Sequence, residues 1–177
     1  HYRFFEDPIT VTDQNKKRIY EEVKKIAESC VSKFNALKQI NINQPIGGHR
    51  FNIPTTFRLV ENEAGEANIL VTDVTNHDKK QIHDLKDCRK LKFDEATIAL
   101  IRKQIQGDMH LAELHQIALS NSIFPLDSWS LVTNKETNER RVMILDIGQY
   151  IILNAGQDRA KKGWQNVNHE LRMLKNI

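Results

Sequence analysis

Residues 129–148 read WSLVTNKETNERRVMILDIG. An apolar, β-branched run (Trp129 to Val132) meets the polar stretch Asn134 to Glu139. A second apolar run (Val142 to Leu145) follows. This pattern predicts a β-hairpin. The second strand ends on Asp146-Ile147-Gly148. A carboxylate followed by glycine at a strand end is one way to hold a metal ion against phosphates.

Upstream, Thr12 or Asp13 caps a predicted long helix that runs to about Lys38. Ile19, Val23, Ile26, Cys30, Phe34 and Leu37 fall at steps of three and four, so one stripe is buried. Residues 39–56 form a connection punctuated by two prolines and Gly47-Gly48. A first hairpin follows, TTFRLV and ANILVTDV around the turn ENEAGE. Asn76 or Asp78 then caps a predicted polar helix to about Leu91. Asp94 caps another, with Ile98, Ile101 and Ile105 on one face, interrupted or restarted at Gly107-Asp108 and continued to residue 119. Downstream of Gly148, QYIILNAG reads as a short strand. The segment 157–177 reads as a last helix with the stripe Ala160, Trp164, Val167, Leu171 and Leu174.

The chain has 177 residues, 40% of them hydrophobic and 28% charged, as expected of one domain with a real core. A net charge of +3 is too small to argue for nucleic acid. No aromatic residues interleave with Arg140-Arg141 or Lys161-Lys162 in the manner of a base-stacking surface. No apolar run approaches the eighteen or so residues of a membrane helix, so no membrane partner is expected. Cys30 and Cys88 form no metal-type or disulfide-dense pattern, which favours a reducing, cytoplasmic compartment. The chain opens on His1 rather than Met and reads as a piece of a longer protein.

The element order is long helix, hairpin, polar helix, apolar helix, loop, hairpin, Asp-Ile-Gly. Over residues 12–150 this resembles part of a protein-kinase fold, from its αC helix to its metal-binding strand end. The fold class expected is therefore α+β, mainly helical with two β-hairpins. The resemblance implies that helix 13–38 takes the place of αC and hairpin 55–74 that of two sheet strands. It makes Val71-Thr72-Asp73-Val74 the hinge between lobes. Val71, Asp73, Val74 and Gly148 would then contact a nucleotide, Asp146 would hold the metal, and ATP and Mg would be the cofactors. Leu114-His115 falls where such families often show Leu-His.

Phosphoryl transfer also needs a second metal ligand, usually Asn, and a base that orients the hydroxyl. Counting back from Leu131-Val132, the Asn position is Trp129 and the catalytic Asp position is Phe124. Neither side chain binds a cation or accepts a proton. Asp127 is the one carboxylate in that loop, three residues out of register, and is the candidate catalytic base. Glu21 or Glu22 stands near the αC glutamate position, but no strand lysine or glycine-rich loop precedes it. Gly47-Gly48 follows the helix and lies in the wrong place. These departures favour a pseudokinase-like regulatory module that binds a protein partner without ordinary phosphoryl transfer. The alternatives are an active atypical kinase using Asp146 and Asp127, with its phosphate loop outside this stretch of chain, and a non-kinase α+β binding module.

Other signals read as structural. His110 and His115 are five residues apart and point about 140° away from each other on a helix, unlike the shared face of a zinc pair. Gly47-Gly48-His49-Arg50 lacks the strand-loop-helix setting of a phosphate loop and reads as a flexible connection. His77 and Asp78 sit where a helix cap is expected. Cys88, in a polar segment, reads as an incidental thiol.

Overall fold

A computed structural model describes residues 12–55, 57–61, 67–71, 79–87, 92–120, 124–153 and 161–174. Helix α1 spans Lys16–Ile42, and the ribbon β1 (Phe57–Glu61) and β2 (Ala67–Val71) follows it. Next come β3 (Lys80–Asp84), α2 (Glu95–Leu114) and β4 (Ile117–Leu119). The hairpin β5 (Trp129–Asn134) and β6 (Arg140–Ile144), the strand β7 (Tyr150–Ile152) and α3 (Lys161–Arg172) complete the order. The class is α+β, and both expected hairpins are present. Their strands belong to different antiparallel sheets: β1-β2, β3-β5-β6 and β4-β7.

Local chemistry accounts for most boundaries. Asp94 accepts the Thr97 N–H at 2.8 Å and starts α2 as a side-chain N-cap. The hairpin turn is built by Asn134, whose side chain accepts from Glu136 N at 2.9 Å and Thr137 N at 3.2 Å. Asn138 closes it in the left-handed region at φ 57°, which Asn tolerates better than most side chains.

The structure changes four expectations. The polar helix expected over 77–91 is, in its described part, the strand β3 followed by a 3-10 turn at Leu85–Asp87. Its sequence KQIHD carries the charges of a solvated helix. Pairing decides otherwise: Lys80 lies opposite Asn134, Ile82 opposite Val132 and Asp84 opposite Ser130, giving β5 a second neighbour. Helix α2 ends at Leu114 rather than 119, because Gln116 turns left-handed at φ 54° and 117–119 pair with β7 as Ile117↔Ile152 to Leu119↔Tyr150. Gly107 does not interrupt α2 either. A Cβ there would lie 2.3 Å from the His49 ring, so the glycine is what lets that imidazole rest on the helix. The connection 43–55 is accordingly tied down. Arg50 donates to the carbonyls of Gly48, Gln44 and Pro45 at 3.1, 3.0 and 3.3 Å.

The core gathers where α2, α3, β4-β7 and the inner face of β5-β6 meet, with Cys30, Phe34 and Leu37 of α1 added to it. At its centre Trp129 lies 6.2 Å from Tyr150 and 6.1 Å from Trp164, ring centre to ring centre, with Phe51 against Tyr150 at 6.5 Å. The tilted and edge-on geometries suit aromatic quadrupoles and add about 0.5–1.5 kcal/mol per pair to area burial. Trp164, Val167, Leu171 and Leu174 of the expected stripe are buried as the periodicity requires, and Ala160 lies outside the described residues. Asn52 reaches from the connection to β6: its carbonyl accepts Ile144 N at 2.8 Å and its amide donates to Val142 O at 3.0 Å.

Gly163 shows how closely α3 is seated. A Cβ there would lie 2.2 Å from the Leu119 carbonyl oxygen, a backbone atom of β4. Helix propensity alone makes Gly163→Ala stabilising by about 1 kcal/mol. The contact reverses the sign: the variant is expected to lose about 1–3 kcal/mol in urea unfolding, as in overpacked cores. An unchanged or raised midpoint would show that α3 is not held against β4.

Candidate functional site

Asp146 leaves the end of β6 tied to the turn that precedes β5. The N–H groups of Leu145 and Asp146 both donate to Ser128 O, at 3.1 and 3.3 Å. Ser128 is itself buried, and Asp127 N donates to Phe124 O at 3.0 Å within the same turn. These bonds bring Asp127 and Asp146 together across nineteen residues of sequence. The register of β3 then places Asp84, opposite Ser130, at the same end of the sheet.

The three carboxylates act on one another. Burial pushes the Asp146 carboxyl up, against hydrogen bonds from Gln149 and Gly148, and the charge of Asp84 pushes the same way. Asp127 is raised first by burial and then by Asp84 and Asp146, while Lys86 opposes the shift. The Lys86 ammonium sits 4.7 Å above the Phe124 ring, and its backbone N–H donates to Asp84 at 2.8 Å. From α1, Lys33 donates to Gly148 O at 3.1 Å, and its charge acts weakly on Asp146. Beneath them, burial raises the Cys30 thiol, which makes it an unreactive core group. Raised, half-buried carboxyls of this kind are able to exchange protons above the usual Asp range.

The expected residues therefore divide. Asp127 and Asp146 are brought together. Gly148 lies in the adjoining 3-10 turn, where a Cβ would be 3.3 Å from Asp146 Oδ1. Val71 ends β2, its side chain outside the description, and Asp73 and Val74 lie outside the described residues, as do Cys88, His77 and Asp78. His110 and His115 are exposed. Asp84, Lys33 and Lys86 were not legible as partners. Their positions depend on strand register and helix docking rather than on any local motif.

The group implied by the kinase resemblance can be tested against these side chains. Among the described residues, no three His, Cys, Asp or Glu side chains gather to hold a metal ion. Trp129, at the Asn position, has no exposed surface and donates its indole N–H to Asp108 at 2.9 Å. The donor set does not fit a two-metal phosphate site. A shallow cleft of about 260 Å³ lies elsewhere, lined by Ile53, Lys80, Val132, Arg141 and Met143 among others, on the sheet face away from the main core.

No protein-family model, no curated protein and no solved structure matches the chain. Among the described residues, no helix is long and apolar enough to cross a membrane.

The carboxylate cluster carries a testable stability cost. The native state holds the Asp146 and Asp127 protons to higher pH than the unfolded chain does. Their unfavourable contribution is absent below the ordinary Asp range and grows as pH rises through the raised values. Asp146→Asn is expected to stabilise the fold at pH 7 by up to about 1 kcal/mol, the gain fading towards about pH 3. Urea titrations at both pH values measure it. A destabilised variant at pH 7 would mean that the carboxylate has a compensating partner.

Proposed function

We propose that this chain is a kinase-like module that binds a protein partner and does not transfer phosphate in the ordinary way. The observation that carries this reading is the state of Trp129. In the resemblance its position belongs to a metal-binding Asn. Here the side chain is an anchored core residue with its one polar atom bonded to Asp108. Substitution of a ligand by a buried, hydrogen-bonded indole leaves no route back to metal binding without rebuilding the core. Asp146 stands at its strand end beside Asp127, as the resemblance expects, but the site supplies carboxylates alone, and the polar helix of that element order is the strand β3.

Partner binding is supported by the surfaces left uncovered. Ile42 and Leu114 are 64% and 65% exposed, at the ends of α1 and α2, and Ile46 in the connection after α1 is fully exposed. Large exposed apolar side chains at helix ends suit protein contact better than a solvated face, although single ones are common.

The decisive experiment incubates the protein with ATP and Mg²⁺ or Mn²⁺ and follows phosphate transfer and thermal stability together. The expected outcome is no transfer. A formed nucleotide site held at a hundred times its dissociation constant would add about 2.7 kcal/mol, and a gain well short of that is expected. Transfer that disappears in both Asp146→Ala and Asp127→Ala would replace this proposal with an active atypical kinase.

A further inference from the structure

The sheet β3-β5-β6 has β3 at its edge. The ladder fixes which backbone groups face outwards. Lys135 N donates to Lys79 O at 2.8 Å, and bonding and non-bonding pairs alternate along an antiparallel strand. Gln81 and His83 therefore bond to β5, opposite Thr133 and Leu131. The N–H and C=O groups of Lys80, Ile82 and Asp84 point the other way. Among the described residues, no strand pairs with that edge. Two other edges are covered. On the outer side of β6, the Asn52 carbonyl accepts Ile144 N at 2.8 Å and its amide donates to Val142 O at 3.0 Å. On β4, the Trp164 indole donates to Ile117 O at 3.1 Å, and Gly163 of α3 lies against Leu119 O. Strand β3 has neither proline nor glycine, and its register with β5 is unbroken over all five residues, so no bulge interrupts its edge.

We infer that the outer edge of β3 pairs antiparallel with the same edge of a second copy of this chain, about a two-fold axis at Ile82. The two sheets then run on as one. The charges of the strand select this occupant. In KQIHD the residues with outward backbone groups are a base, an apolar residue and an acid, evenly spaced about Ile82. Antiparallel pairing centred on Ile82 sets Lys80 of each protomer opposite Asp84 of the other, and Ile82 opposite its own copy. Opposite charges across a ladder stabilise it, and like charges destabilise it. Parallel in-register pairing would set Lys80 beside Lys80 and Asp84 beside Asp84. A slip of two residues would set Ile82 against a charge. A slip of one would put outward groups against inward ones. The edge is thus complementary to itself in one register, which is the isologous contact of a two-fold dimer.

The faces of the sheet agree with this. Ile82 packs with Val132, Met143 and Leu145 on the side away from the main core. That small apolar group stops at β3, where Ile82 is only half-buried. A second copy continues it with the same residues. Lys80 lines the cleft on this face, beside Val132, Asn134 and Arg141. Asp84 accepts the Lys86 N–H at 2.8 Å, which holds its carboxylate at the end of the strand. An interface one strand long is smaller than that of a permanent dimer, so the association depends on concentration. The pairing does not depend on the kinase-like reading.

Sedimentation equilibrium of the 177-residue chain, over a concentration series reaching about 1 mM, is expected to show monomers in exchange with dimers. Lys80→Asp and Asp84→Lys each turn both cross-strand pairs into like charges. Each alone is expected to weaken dimerisation about tenfold. Mixing the two variants sets acid against base at both ends, and heterodimers should form about as tightly as wild-type dimers. A reading that needs no substitution is amide exchange at Ile82 in the wild type, which should slow as concentration rises. A monomer throughout the series, a dimer indifferent to both substitutions, variants that stay apart when mixed, or exchange at Ile82 that ignores concentration would each overturn the pairing.

Discussion

One carboxylate inside the core organises this molecule. Asp108 belongs to α2, but its bonds run to β5 through Trp129 and to the α1-to-sheet connection through His49. An isolated charge in such a place would cost several kcal/mol, and the polar partners around it offset part of that cost. The bonds are directional, so they also set where each segment sits. Apolar packing alone tolerates sliding; a carboxylate with three polar partners does not. Trp129 is thereby fixed among Tyr150, Trp164 and Phe51, and the aromatic cluster has one arrangement.

The candidate site follows from the same anchoring. Trp129 begins β5, and the turn just before it carries Asp127 and Ser128. Ser128 O in turn receives the N–H groups of Leu145 and Asp146. Holding the indole therefore holds the turn, and holding the turn brings the two carboxylates together. Trp129 itself serves packing, with its one polar atom bonded to Asp108. Beside Asp84, the carboxyls of Asp127 and Asp146 are raised by burial and by neighbouring negative charge.

Much of this was legible in the residues. The stripes of α1 and α3, the Asp94 cap and both hairpins rest on interactions within a few residues of one another, and local patterns report those faithfully. The strand β3 was not, because KQIHD is polar enough for a solvated helix and becomes a strand only through its ladder with β5. The end of α2 was missed for the same reason: Ile117 to Leu119 continue an apolar face, and their pairing with β7 overrides it. Asp108 left a trace, a carboxylate on the stripe Ile98, Ile101, Ile105, Leu111. Its partner His49 left none, since fifty-nine residues separate them.

By itself the chain determined which segments bury a face, where α2 begins and the second hairpin turns, and that a carboxylate ends the strand before Gly148; α1 starts later than the expected Thr12 or Asp13 cap, at Lys16 after Asn15. Those outcomes depend on side-chain periodicity, caps and backbone preferences, all short-range. The tertiary structure alone decided that Trp129 is a core anchor, that Asp84 joins Asp127 and Asp146, and that Gly107 and Gly163 are spaces for an imidazole and a carbonyl. Register, burial and close approach arise only when distant segments meet. A carboxylate's character depends on what desolvates it and what charge it faces, and neither is written next to it in the chain.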